Sequence, residues 1–144
     1  AFWHLRHVLP EVQKPEGGSI KHDVSVPVAA VPDFLAEASA AVQALIPGAR
    51  PVPFGHLGDG NMHFNVSQPL GADTAQYLAR WGEMNAVVDK VVLKHNGSIS
   101  AEHGIGKLKR DTLPKVKDPV ALELMRGFKR MLDPNGILNP GKVL

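Results

Sequence analysis

Residues 51–68 read PVPFGHLGDGNMHFNVSQ: two extended apolar segments, 51–57 and 62–68, joined by Gly58-Asp59-Gly60-Asn61. Asp-Gly is a strong two-residue hairpin signal, so the spacing predicts a β-hairpin with Asp59-Gly60 as its loop. In that register 58 pairs with 61, 57 with 62 and 56 with 63, and His56 faces His63 across the hairpin. Directly opposed positions bring Cβ atoms to about 4.5–5.5 Å, close enough for two imidazoles to share one ion. Asn65, two residues beyond His63, lies on the same face.

Working outward, residues 20–28 alternate with period two. Ile20, His22, Val24, Val26 and Val28 fall on one face and Lys21, Asp23, Ser25 and Pro27 on the other, which predicts a strand. Pro32-Asp33 opens an amphipathic helix through Leu35, Ala38, Val42 and Leu45 that Pro47-Gly48 stops. After the hairpin, Asp73 is a candidate N-cap for one helix carrying Tyr77, Trp81, Met84, Val88 and Val91 and closing at Asn96-Gly97. Residues 98–101 read as a short fourth strand, 104–118 as loop, and Asp118-Pro119 caps a last helix through Met125, Phe128 and Leu132. A further helix over residues 2–13 precedes all of this. The central order β-α-β-β-α-β is the split βαβ of a ferredoxin-like antiparallel sheet, so the expected fold class is α+β with flanking N- and C-terminal helices.

The 144 residues suit one domain, with 44% hydrophobic and 21% charged residues, too apolar for a disordered chain. A net charge of +2 and the lack of any basic run give no footprint for nucleic acid. Apolar stretches are broken by Pro, Gly or charge short of the ~18 residues of a membrane span, so a soluble, cytoplasmic protein is expected, free or at the membrane periphery. Cysteine is absent, which leaves His, Asp and Glu as metal ligands. The chain starts Ala1-Phe2-Trp3 without Met, and a helical pattern begins at once, as in a fragment of a longer protein.

Two histidines do not close a tetrahedral site. The nearest third group by chemistry is Glu102, in Ser100-Ala101-Glu102-His103-Gly104, and His₂Glu with an open position is the pattern of catalytic zinc. Read by themselves, His56 and His63 are equally ordinary hairpin residues, Glu102 a solvated carboxylate, and Arg6 and Lys21 solvated charges. Asp59 reads as a turn former, Tyr77, Trp81, Met84 and Val88 as core, and His4, His7, His22 and His95 as structural or exposed.

Gly55 to Val66, Glu102-His103-Gly104-Ile105-Gly106, and the close from Leu132 to Lys142, LDPNGILNPGK, together resemble the C-terminal domain of the FAD-linked oxidases. The resemblance covers essentially all of residues 1–144 and implies the substrate and metal-binding portion of an FAD-dependent 2-hydroxy acid dehydrogenase. A flavin-binding domain would precede it, and the tail 134–144 would dock on that domain. It further implies that His56, His63 and Glu102 bind zinc or manganese and that His103 takes the substrate hydroxyl proton. Arg6 and Lys21 would grip the substrate carboxylate, Asn65 would hold the substrate or a neighbouring group, and Asn139 would approach the flavin. Pro10 stands where some members carry a Thr, which bears on substrate choice. A free-standing His₂Glu metallohydrolase and a non-catalytic assembly module of a flavoprotein are the competing readings. An isolated fragment is expected to be inactive and to self-associate through the apolar surface a flavin domain would cover.

Overall fold

A computed structural model describes residues 2–144, with Pro10 described by its backbone alone, so the expectation placed on the Pro10 side chain lies outside the described residues. The chain forms two compact units, Ala1–Glu102 and His103–Leu144.

The first unit holds helix α1 (Phe2–Val12), strand β1 (Ser19–Ser25), helix α2 (Val31–Leu45), strands β2 (Arg50–His56) and β3 (Asn61–Ser67), and helices α3 (Thr74–Ala79) and α4 (Trp81–Lys94). The strands form an antiparallel sheet in the order β1-β3-β2, the split βαβ expected from the alternation, and the class is α+β. Pro51 and Pro53 sit on β2, an edge strand, where a missing N–H breaks no ladder.

The face of the sheet bearing Ile20, Val24, Phe64 and Val66 is fully buried, together with Phe34, Ala38 and Val42 of α2 and Met84, Val88 and Val92 of α4. Phe34 and Phe64 meet edge to face with centroids 5.7 Å apart. The stretch Val28–Leu45 is long and apolar enough to pass as a membrane span by composition. That apolarity is largely alanine, and the helix is amphipathic in place: Val31, Phe34, Ala38 and Val42 are buried, and Glu37 pairs with Lys94 at 2.7 Å and His95 at 3.0 Å. Those two partners hold the Glu37 carboxyl below its usual range, hydrogen bonding from Lys94 being the larger cause. Tyr77 donates its hydroxyl proton to the Val66 carbonyl at 2.6 Å, and burial pushes its pKa up to about 12.

Four expectations are corrected. The hairpin loop is four residues, 57–60, not two: His56 pairs with Asn61, Gly55 with Met62 and Phe54 with His63. A two-residue type I′ turn needs positive φ at both central residues, and here Gly60 alone adopts it, at +73°. A Cβ on Gly60 would lie 1.9 Å from the Val26 carbonyl oxygen, so close approach of the chain just after β1 fixes the turn. Second, the predicted fourth strand is a single antiparallel bridge, Ser98 to Ser25. The Ser98 hydroxyl bonds the Ser100 carbonyl, and the Ala101 and Glu102 N–H groups turn to the Asp23 carboxylate, Ala101 sharing its N–H with the Asp23 carbonyl, in place of a regular ladder. Third, the single helix expected after Asp73 is two. Asp73 does cap the first, accepting from the Gln76 N–H at 2.8 Å, but the chain breaks at Arg80, whose guanidinium reaches the Leu45 carbonyl and Glu83. Fourth, Trp81, expected in the core, is 41% exposed, and on α2 Phe34 takes the buried position expected for Leu35.

The second unit contains α5 (Leu113–Val116), within a region expected to be loop, and α6 (Pro119–Leu132). Asp118 caps α6 as predicted, accepting from the Ala121 N–H at 2.9 Å. Of the stripe predicted on α6, Met125 is half-buried and Phe128 and Leu132 are exposed; the helix buries Leu122, which lies outside that stripe. Asp133 closes the helix by accepting from the Ile137 and Leu138 N–H groups and pairing with Lys129, whose hydrogen bond holds its carboxyl low.

Candidate metal and carboxylate site

The face of the sheet opposite the helices carries Lys21, Asp23 and Ser25 of β1, Asn61, His63, Asn65 and Ser67 of β3, and Phe54 and His56 of β2. These residues alternate with the apolar set, so the strands that build the core also present a polar face. Asp23, Asn61, Asn65 and Ser67 are buried nonetheless.

His56 and His63 share this face although they are not directly opposed. The register differs from the expected one by two residues, an even shift that preserves the face and makes the histidines diagonal neighbours, with ring centroids 6.4 Å apart at 79°. Glu102 reaches His56 from beyond the Ser98 bridge: its Oε1 lies 3.4 Å from His56 Nδ1. Two ligand atoms around a tetrahedral ion with bonds of about 2.0–2.2 Å stand at about this separation.

Two residues that sequence reasoning did not single out hold this arrangement. Asn61 donates from Nδ2 to Glu102 Oε1, while its buried Oδ1 has no hydrogen-bond partner. Asp23 Oδ2 accepts from the Glu102 N–H at 2.8 Å and the Ala101 N–H at 3.2 Å, and its Oδ1 lies 3.9 Å from His63 Nδ1. The alternation of residues 20–28 already placed Asp23 on this face. Its link to Glu102 spans 79 positions and leaves no local signal. Asp59 behaves as a turn former, accepting from the Asn61 N–H at 3.0 Å.

The chemistry of the donor set suits a divalent metal: the His56 imidazole and the Glu102 carboxylate stand at the separation of two ligands, and the His63 imidazole lies beside His56. A cleft of about 210 Å³ lined by Ser25, Asp59, Asn61, Ala101 and Glu102 opens there.

Arg6, on α1, places Nη2 2.8 Å from His56 Nε2, with its guanidinium carbon 5.8 Å from the Trp3 ring. Lys21 is exposed and pairs in register with Asn65. Asn65 donates to Gln13 Oε1 at 3.0 Å, and Gln13 donates to the Leu9 carbonyl, which ties the sheet to the end of α1. His103 and Asn139 belong to the second unit. His103 is exposed and follows Glu102 directly in the chain, and Asn139 has φ +47° and accepts from Lys142 Nζ at 3.3 Å.

The chain is 43% identical over 142 residues to a D-2-hydroxyglutarate dehydrogenase of Stutzerimonas stutzeri (strain A1501), covering 99% of this chain and 30% of that protein. It is 40% identical over 144 residues to a mitochondrial D-2-hydroxyglutarate dehydrogenase of Bos taurus, covering 99% of this chain and 25% of that protein. Against the mitochondrial D-2-hydroxyglutarate dehydrogenase of Arabidopsis thaliana, identity is 37% over 145 residues, covering 100% of this chain and 24% of that protein. The chain thus spans 24–30% of the length of these relatives. The resemblance carried by the hairpin, the Glu102-His103 segment and the closing turns extends over residues 1–143, which match the FAD linked oxidases, C-terminal domain, and the chain belongs to that family.

Proposed function

We propose that residues 1–144 are the substrate- and metal-binding portion of a longer FAD-linked dehydrogenase that oxidises a 2-hydroxy acid, of the kind named in its D-2-hydroxyglutarate relatives. The observation that carries this reading is the 3.4 Å approach of Glu102 Oε1 to His56 Nδ1, beside His63 on the polar face of the sheet that also presents Lys21 and Asn65, with Arg6 against His56.

When bound, the metal supplies Lewis-acid polarisation of the substrate hydroxyl and the flavin supplies the hydride acceptor. His56, His63 and Glu102 would hold the metal, with Asn61 orienting the Glu102 carboxylate and Asp23 the backbone that carries it. The neutral His103 imidazole accepts the hydroxyl proton, next in the chain to a metal ligand. Arg6 offers the substrate carboxylate a two-pronged grip and Lys21 a point charge, which together fix the direction of the Cα–H bond. Asn65 steadies the bound substrate or its neighbours. The flavin is held by chain outside these residues, with Asn139 approaching it. The tail 134–144, whose Ile137 and Leu138 are exposed, docks on that portion.

The test uses the longer protein. Metal content by elemental analysis is expected to be stoichiometric with zinc or manganese and to fall in His56→Ala and Glu102→Ala. Anaerobic flavin reduction by D-2-hydroxyglutarate is expected to be lost in His103→Ala while metal content is kept. No flavin reduction across a panel of D-2-hydroxy acids would overturn the assigned reaction. Full metal content in both ligand variants would overturn the site.

A further inference from the structure

We infer that Arg6 and a divalent metal compete for His56, so that metal loading at this site releases the guanidinium for a substrate carboxylate. The inference rests on the proposed metal site and goes beyond it, because it couples two ligands through one side chain.

The argument is a count of lone pairs. A guanidinium has five N–H donors and no acceptor, so Arg6 Nη2 at 2.8 Å from His56 Nε2 requires a lone pair on that nitrogen. A neutral imidazole has one lone pair and one N–H, which places the proton on Nδ1, 3.4 Å from Glu102 Oε1; Asn61 Nδ2, also 3.4 Å from Nδ1, then donates to Glu102 alone. A metal entering at Nε2 takes the lone pair that Arg6 uses. One entering at Nδ1 displaces the ring proton to Nε2 through solvent, and Nε2 can then no longer accept. In both cases the ring keeps one proton and the Arg6 contact breaks. The positive ion also repels the guanidinium.

A released Arg6 regains the N–H groups that a carboxylate needs for two parallel hydrogen bonds. Linkage makes the effect reciprocal: a carboxylate that draws Arg6 off His56 raises metal affinity by the same factor. The two binding events therefore favour each other although the side chain between them binds neither at first. Arg6 is here a positioning residue toward the metal and a binding residue toward the substrate.

Zinc titration of the metal-free longer protein, compared across wild type, Arg6→Leu and His56→Ala, tests the competition. Arg6→Leu is expected to bind zinc roughly two- to tenfold more tightly, the size of one net hydrogen bond. Zinc is expected to raise affinity for D-2-hydroxyglutarate by a larger factor in wild type than in Arg6→Leu. A readout that needs no metal is the His56 tautomer by long-range ¹H–¹⁵N NMR, expected as Nδ1–H in wild type and shifted toward Nε2–H in Arg6→Leu. Zinc affinity unchanged or weakened in Arg6→Leu overturns the inference, as does a tautomer indifferent to Arg6. Zinc binding indifferent to His56→Ala overturns the metal-site reading on which the inference stands, a result distinguishable from the other two by its variant.

Discussion

The two faces of the sheet are built by the same three strands and are held by different physics. On the helical face, Phe64, Val66, Ile20 and Val24 are closed over by Phe34, Met84 and Val88, and cohesion comes from apolar surface withdrawn from water. On the other face, Asp23, Asn61 and Asn65 are as deeply buried, yet each is tied by hydrogen bonds to a segment far away in the chain: Asp23 to Ala101 and Glu102, Asn61 to Glu102, Asn65 to Gln13. Apolar packing tolerates neighbours of many shapes, whereas a carboxylate accepting from two chosen N–H groups fixes where those residues lie. The first face sets whether the chain folds and the second sets where Glu102 stands.

The largest expected effect breaks the first face. Phe64→Ala should cost about 3–5 kcal/mol, read from urea unfolding followed by far-ultraviolet circular dichroism. A loss under about 1 kcal/mol, the scale of a single methylene, would mean that the Phe34–Phe64 contact is not central to the core. Asp23→Ala sharpens the comparison from the other side. Zinc affinity should drop about 10–100-fold while circular dichroism stays native, and Asp23→Asn, which keeps one acceptor oxygen for the Glu102 N–H, should recover part of the loss. Unfolding of Asp23→Ala with zinc affinity unchanged in Asp23→Asn would show that the polar face serves stability alone.

The smallest effect sits where the faces meet, at the Tyr77 hydroxyl on the Val66 carbonyl. The folded pKa is raised from the usual 10.0 to about 12. The contribution of the neutral phenol is therefore fully present below pH 10 and is lost as pH rises through 12. Tyr77→Phe should cost about 1 kcal/mol at neutral pH and flatten the alkaline decline between those two values. An alkaline unfolding curve identical in the two proteins would remove Tyr77 from the account.

What the sequence disclosed follows the range of the interactions. Period-two alternation over residues 20–28 and the Asp-Gly turn are local, and both the sheet order and the shared face of His56 and His63 follow from them. The hairpin register depends on whether Asp59 adopts positive φ. That is decided by how closely Gly60 approaches Val26, a contact 34 residues distant that no turn rule contains. The missing fourth strand has the same origin. Residues 98–101 alternate well enough for a ladder, and what diverts the chain at Ala101 and Glu102 is the Asp23 carboxylate on another strand. Motif resemblance points to His56, His63 and Glu102 without their geometry, and for the same reason it is silent on Asn61 and Asp23, which contact Glu102. The paired helices α3 and α4 were read as one because the apolar stripe runs through the break at Arg80, where the deciding partner is the Leu45 carbonyl.

The hairpin turn also bears on how the site can be watched. Gly60 admits no side chain, but two residues earlier a Cβ on Gly58 would meet nothing within 4 Å, and its φ lies outside the left-handed region. The chain contains no cysteine. Gly58→Cys therefore offers a single thiol for a fluorescent or spin label two residues from His56, where an optical signal could follow ligand arrival in real time without a second substitution.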